Sequence, residues 1–75
     1  PDATEVANAV RLTPRELAVL DLLAAGHTAG AMGRRLQIAE RTVQKHLERI
    51  YTKLGVTDRL SAVLRAQRIG VLAPS

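Results

Sequence analysis

The 75-residue sequence predicts an all-α fold, a compact domain of four short helices. Two observations predict it: apolar residues recur three and four positions apart, and each such stretch is bounded by residues that start or stop helices. A chain of this size forms at most one small domain, which buries only ~60% of its unfolded surface. We expect residues 1–11 to be a linker or a truncated N-terminal segment, residues 12–72 to form the domain, and residues 73–75 to be a tail.

The first helix has a complete start signal. Thr13 is a suitable N-cap, Pro14 suits the first helical position, and Glu16 completes a capping box. Gly26 is expected to end the helix. The residues between are apolar on nearly every side, which predicts that neighbouring helices cover them. We interpret Glu16 as a cap or as a partner in an internal ion pair, and not as a catalytic acid.

The second helix is short and intrinsically weak. Thr28 can cap it, and it is predicted to run over residues 29–36. Gly30 and Gly33 each cost ~1 kcal/mol relative to alanine inside a helix. The segment is therefore expected to be held by the packing of Met32 and Leu36.

The third helix is predicted over residues 40–54, with Gly55 as its stop. Its apolar residues form one narrow stripe: Val43, Leu47, Ile50 and Leu54. At 100° per residue, the residues opposite that stripe are Arg41, Lys45, Glu48 and Thr52, with Gln44 and Arg49 beside them. A second polar row along one side consists of Thr42, His46, Arg49 and Lys53. One side of this helix is thus expected to be buried, while the other presents long polar side chains.

The last helix is expected to begin after Thr57 or Asp58 and to end near Ile69, before Gly70. It carries two apolar strips: Leu60, Leu64 and Val71 with Val63 beside them, and Ala62, Ala66 and Ile69. Two such strips suggest one for the core and one for a partner. The alternative is that both fill a small core.

Residues 28–54 together have the layout of a helix-turn-helix. A DNA major groove is ~12 Å wide and admits a single helix. That helix needs one buried side and one side rich in hydrogen-bond donors, and a short helix must precede it through a tight turn. The pattern meets these requirements, although small helical bundles of other kinds share it.

Charge is distributed unevenly along the chain. The formal net charge is +4 and the isoelectric point is near 10.7. Residues 1–33 contain two basic and four acidic side chains, whereas residues 34–68 contain nine basic and three acidic ones. A basic half on a small domain is typical of a protein that binds a polyanion. A solvated basic surface with no partner is the alternative.

Several classes of function are disfavoured by composition. Cysteine is absent, which excludes disulfides and cysteine chemistry and fits a cytoplasmic protein. With His27 and His46 as the only histidines, we expect no metal ion. No nucleophile–base pair, glycine-rich phosphate loop or carboxylate pair is present, so we expect no catalytic residue, no enzyme activity and no cofactor. The longest apolar run has four residues, far below the ~20 of a membrane span.

Three groups of residues resemble a known family. They are Leu12-Thr13-Pro14-Arg15-Glu16 with Val19-Leu20; Thr42-Val43-Gln44-Lys45-His46-Leu47 with Ile50 and Lys53-Leu54-Gly55-Val56; and Arg59, Ala62-Val63, Ala66 and Gly70-Val71-Leu72. Together they resemble the LuxR/GerE-type helix-turn-helix DNA-binding domain over roughly residues 12–72. The resemblance implies the C-terminal effector domain of a bacterial LuxR-family or NarL-type transcription regulator, a group that includes response regulators. Such a domain binds double-stranded DNA as a homodimer and follows an N-terminal receiver or ligand-sensing domain.

The resemblance also implies roles for particular positions. Base-facing residues would be Gln44, Lys45 and Glu48. Residues that lie near phosphates or support the helix would be Thr42, His46 and Lys53. Arg41 and Arg49 are further phosphate contacts expected on the same helix. Family members usually carry Asn-Lys-Glu at the start of the second helix, where this chain has Ala29-Gly30-Ala31, so phosphate contacts there are expected from Arg34 and Arg35. The dimer contact would use Ala62, Val63, Ala66 and Gln67.

Some alternatives stay open at this point. Gln44 can read adenine or can simply be solvated, and Glu48 can accept a hydrogen bond from cytosine or can pair with Lys45, Thr52 or Arg49. Tyr51 is expected to pack beside the apolar stripe and not to stack on a base. A helical protein–protein interaction module with the same fold is the alternative function.

Overall fold

The computed structural model describes residues 10–73, and this part of the chain contains four α-helices and no strand. They are α1 (Pro14–Ala24), α2 (Ala29–Leu36), α3 (Glu40–Leu54) and α4 (Arg59–Arg68). The Cα radius of gyration is 11.3 Å, as expected of a compact chain of this length. The compact all-α prediction is therefore confirmed. The linker predicted for residues 1–11 and the tail predicted for residues 73–75 lie mostly outside the described residues.

Side-chain caps define the starts of the first two helices. The backbone N–H of Glu16 donates to Thr13 Oγ1 at 3.0 Å, and the backbone N–H of Thr13 donates to Glu16 Oε1 at 2.9 Å. This is the predicted capping box. At the start of α2, Thr28 Oγ1 accepts from the backbone N–H of Ala31 at 3.1 Å. At the start of α3, Ala39 has no side chain that can cap, so the backbone alone defines that end.

The residues that end α2 and α3 have a left-handed backbone conformation. Gly55 follows α3 with φ of 71°, and the next N–H, from Val56, returns to the carbonyl of Tyr51 at 2.9 Å. Glycine is favoured there because it lacks the Cβ that penalises positive φ. At the end of α2 the corresponding residue is Gln37, with φ of 58°, a conformation that is uncommon outside glycine.

Helix α3 lies at the centre of the domain and packs against all three other helices. Its predicted apolar stripe is buried throughout. The buried apolar residues are Leu12, Val19, Leu20, Leu23, Met32, Val43, Leu47, Ile50, Leu54, Ala62, Ala66, Val71 and Leu72. Because one continuous stripe of α3 faces this core, the opposite side of the same helix must face outward. No helix in residues 10–73 is long and apolar enough to cross a membrane.

The structure also decides which strip of α4 faces the core. Ala62 and Ala66 are fully buried, so neither offers surface to a partner of the folded domain, contrary to the sequence-based expectation. Leu60 and Leu64 are instead 66% and 51% exposed. The strip of small alanine side chains thus faces the core, and the bulkier leucines face outward. Val71, assigned from the sequence to the leucine strip, is buried because the chain folds back after α4.

Candidate nucleic-acid interface

The turn between α2 and α3 is held by a close backbone approach at Gly33. This residue is buried, and a Cβ added to it would stand 2.7 Å from the carbonyl oxygen of Ile38 and 3.5 Å from the backbone nitrogen of Glu40. The backbone N–H of Ile38 in turn donates to the carbonyl of Gly33 at 3.0 Å. The glycine thus allows the turn to lie directly on α2, which fixes where α3 begins.

The outer side of α3 presents polar side chains that have no partner among residues 10–73. The residues exposed there include Arg41, Gln44, Lys45, Glu48 and Arg49. Within residues 10–73, none of these five side chains makes a hydrogen bond or an ion pair. The hydroxyl of the neighbouring Thr52 donates to the backbone carbonyl of Glu48 at 3.0 Å. This hydroxyl therefore does not bond to the carboxylate of Glu48. The row is available to a ligand along its whole length.

The flank of α3 is less accessible than this outer side. Thr42, His46 and Lys53 are half-buried, in contrast to the exposed residues beside them. The Nδ1 atom of His46 is buried and has no hydrogen-bond partner among residues 10–73. The same part of the chain contains no group of three His, Asp or Glu side chains that could hold a metal ion.

Lys53 forms an ion pair inside the domain. Its Nζ donates to Glu16 Oε1 at 2.6 Å and to the backbone carbonyl of Arg11 at 2.6 Å. The Glu16 side chain is 2% exposed and that of Lys53 is 28% exposed. Burial alone would raise the pKa of Glu16, but hydrogen bonds from Lys53 and Thr13 and the positive charge of Lys53 hold that pKa below its ordinary value. Glu16 is thus both the cap and the ion-pair partner that its sequence position suggested.

The contacts of Lys53 inside the domain compete with the phosphate contact that is expected for it from the sequence. Its ammonium group already has two acceptors in the domain, both at or before the start of α1. The sequence placed Lys53 on the flank of α3 but gave no sign of a partner 37 positions away. Arg49, on the same flank, is exposed and unpaired among the described residues.

Arg34 and Arg35 are exposed in the last turn of α2, beside the start of α3. The Nη1 atom of Arg34 and the Oε1 atom of Glu40 both lie within 4 Å of the point where a Cβ of Gly30 would stand. The predicted basic residues of α2 thus lie at the end of that helix nearest to α3. Their guanidinium groups form no ion pair within residues 10–73.

Arg59 has a structural role that sequence reasoning did not identify. Its Nη2 donates to the carbonyl oxygens of Leu23 at 3.1 Å and of His27 at 2.7 Å. The carbonyl of Leu23 lies in the last turn of α1, where a cation is favourable to the helix dipole, and that of His27 lies in the loop after it. Arg59 is the first residue of α4, and its contacts connect α4 to α1. Nearby, Tyr51 packs against the core as expected, and burial raises the pKa of its hydroxyl above its ordinary value.

Comparison with known proteins identifies this arrangement. Residues 10–66 match the family model of bacterial regulatory proteins of the luxR family. Over 57 residues the chain is 44% identical to the "Probable transcriptional regulatory protein NarL" of Mycobacterium tuberculosis H37Rv, a match that covers 76% of this chain and 26% of that protein. Over 69 residues it is 36% identical to the "HTH-type transcriptional regulator MalT" of Yersinia enterocolitica, covering 92% of this chain and 8% of that protein.

The chain therefore spans about a quarter of the first relative and less than a tenth of the second. The sequence-based expectation that the domain is not an enzyme is confirmed, because the family consists of non-enzymatic transcription regulators. The matched segment contains α1 to α3 and most of α4. The chain is a helix-turn-helix DNA-binding domain of the LuxR family of bacterial regulatory proteins.

Proposed function

We propose that the domain binds double-stranded DNA in a sequence-specific manner, with α3 in the major groove. The observation that carries this proposal is the exposed polar row on α3, unpaired among residues 10–73, which lies opposite a buried apolar stripe. A recognition helix needs that combination, since one side must be anchored while the other reads base edges. Gln44, Lys45 and Glu48 are the residues proposed to face the bases.

Phosphate contacts are proposed on both sides of this row. Arg41 and Arg49 lie on α3 itself, and Arg34 and Arg35 lie at the end of α2 nearest to it. All four are exposed, so they can approach the DNA backbone and release its counterions. We further propose that residues 12–72 act as the effector domain of a longer transcription regulator, with a receiver or ligand-sensing domain before it. A regulator of bacterial chromosomal DNA would work in the cytoplasm.

The salt dependence of DNA binding tests the proposed contacts between the domain and the DNA phosphates. The logarithm of the binding constant for a duplex should fall linearly with the logarithm of salt concentration. Arg49→Ala should weaken binding to all sequences alike and reduce that slope by ~1, because one phosphate contact is lost. Arg68→Ala removes another exposed cation, from the end of α4, and should leave the slope unchanged. Failure of the domain to bind any duplex at low salt would contradict the proposal.

Dimer formation is proposed through the exposed side of α4. Leu60 and Leu64 lie one turn apart there, with the half-buried Val63 and Gln67 beside them. The most suitable occupant is a second copy of the domain on DNA with two half-sites, since the two copies would then lie about one helical turn apart. This patch is far smaller than the ~1,200 Å² that a stable interface usually buries. The isolated domain should therefore be a monomer in sedimentation at micromolar concentration.

A double variant tests this surface. Leu60→Ser with Leu64→Ser should abolish cooperative binding to a duplex with two half-sites but leave the affinity for one half-site unchanged, because both leucines lie outside the core. Titration of both duplexes with both proteins measures this difference. Unaltered cooperativity in the double variant, or a dimer of the parent that survives dilution to nanomolar concentration, would overturn the assignment.

A further inference from the structure

We propose that Glu48 is a specificity-determining residue that accepts a hydrogen bond from the N4 amino group of a cytosine, so that the binding site must carry a G·C pair at one position. This inference rests on the proposed function and specifies its ligand. Three features carry it: the exposure of Glu48, the absence of a partner for its carboxylate among residues 10–73, and its position in α3 between Lys45 and Arg49 in the sequence.

The carboxylate of Glu48 is unpaired among residues 10–73, although two cationic residues lie close to it in the sequence of α3. Lys45 is one turn away and Arg49 is adjacent in sequence, yet neither forms an ion pair with it. Thr52, the remaining candidate, donates its hydroxyl to the backbone carbonyl of Glu48. The alternative that Glu48 serves a surface ion pair therefore finds no support among the described residues. Its carboxylate oxygens are open to a donor from outside the domain.

The other acid of α3 has a local explanation that Glu48 lacks. Glu40 lies in the first turn, where a negative charge is favourable to the helix dipole, and its side chain lies over Gly30 of α2. Glu48 lies in the middle of the helix on the side opposite the buried stripe. There a carboxylate would face the DNA and be repelled by its phosphates, which lowers the affinity for every sequence. A specific hydrogen bond to a base would offset that cost at the correct site alone.

The chemistry of the groove selects the base. A carboxylate only accepts hydrogen bonds, and the donors of the major groove are cytosine N4 and adenine N6. Adenine places its N7 acceptor next to N6, and that atom would repel the second carboxylate oxygen. Cytosine N4 has an acceptor on one side alone, the O6 of the paired guanine, whereas adenine N6 lies between two acceptors, its own N7 and thymine O4. Cytosine is therefore the base that Glu48 fits.

The variant Glu48→Gln keeps the shape of the side chain and removes its charge. An amide can donate to N7 while it accepts from N6, so it suits adenine. We expect the preference for cytosine at one position to fall by about 5- to 150-fold, the factor that corresponds to ~1–3 kcal/mol, with adenine gaining most. Binding to random duplex should become tighter, because a like charge is removed from the DNA surface.

The experiment first selects binding sites from a randomised duplex with the 75-residue domain. The affinity of both proteins for all four base pairs at each position of that site is then measured at one fixed salt concentration. Glu40→Gln is the matched control: it makes the same chemical change on the same helix and should alter no base preference. If the parent binds but Glu48→Gln leaves the preference at every position unchanged, the inference is wrong. If the parent selects no duplex at all, it is the proposed function that fails.

Discussion

Replacement of Gly33 with alanine should lower the free energy of unfolding by roughly 1–3 kcal/mol, the cost of forcing extra volume into a filled site. The added Cβ would stand 2.7 Å from the carbonyl oxygen of Ile38, which belongs to the backbone and cannot rotate away. Relief requires the turn before α3 to move. A domain of this size has only about 4–11 kcal/mol of stability, so the loss is a large fraction. Urea unfolding followed by helical circular dichroism measures it.

Gly30→Ala is the matched control on the same helix. Its Cβ would stand 2.9 Å from Glu40 Oε1, the far end of a flexible and exposed side chain that can turn away. Alanine is favoured over glycine inside a helix by up to ~1 kcal/mol, so this variant should be neutral or more stable. Equal effects of the two substitutions would show that only helix propensity matters in α2 and that the close approach at Gly33 carries no cost.

The features that the sequence predicts correctly are local ones. The capping box of Thr13 and Glu16, the cap at Thr28 and the stop at Gly55 each involve residues within a few positions, so their chemistry can be recognised without the fold. The buried stripe of α3 follows in the same way from helical geometry, because a single narrow row of apolar residues can face only the core. The expected exposure of Gln44, Lys45 and Glu48 is its direct consequence.

The features that the sequence does not determine depend on distant parts of the chain. Gly30 and Gly33 are equivalent in helix propensity, and only the returning turn at Ile38 distinguishes them. Helix α4 has two apolar strips, and the space left by the other helices decides that Ala62 faces inward and Leu60 outward. Helical periodicity places Lys53 on a flank but cannot indicate that a carboxylate from another helix meets it there.

Lys53→Met should lower the free energy of unfolding at pH 7 by about 2 kcal/mol, because it leaves the buried carboxylate of Glu16 without its cation. This loss of stability should be at the lower end of the range for breaking a buried ion pair, since Lys53 is partly exposed and the backbone N–H of Thr13 still bonds to Glu16. The salt slope of DNA binding should stay unchanged, because the ammonium group of Lys53 already donates hydrogen bonds to Glu16 and to the carbonyl of Arg11. Arg49→Met, the matched control, should do the reverse: it should reduce the slope by ~1 and change stability by less than ~0.5 kcal/mol.

The pH dependence identifies the origin of the loss. The pKa of Glu16 is lowered by folding, so the ion pair stabilises the domain fully above the pKa of an unfolded glutamate, ~4.3, and this stabilisation disappears as the pH falls through the lower folded value. The stability difference between the parent and Lys53→Met should therefore be large at pH 7 and shrink in acid.

Addition of Glu16→Gln to the Lys53 variant should recover part of the stability at pH 7. A neutral amide in place of an unpaired buried charge can still complete the capping box with Thr13, so the desolvation cost falls while the helix start is kept. Urea unfolding of the four proteins of this cycle measures the coupling between the two side chains. Unchanged stability of Lys53→Met together with a salt slope reduced by ~1 would show instead that Lys53 binds phosphate and that its contact with Glu16 contributes nothing.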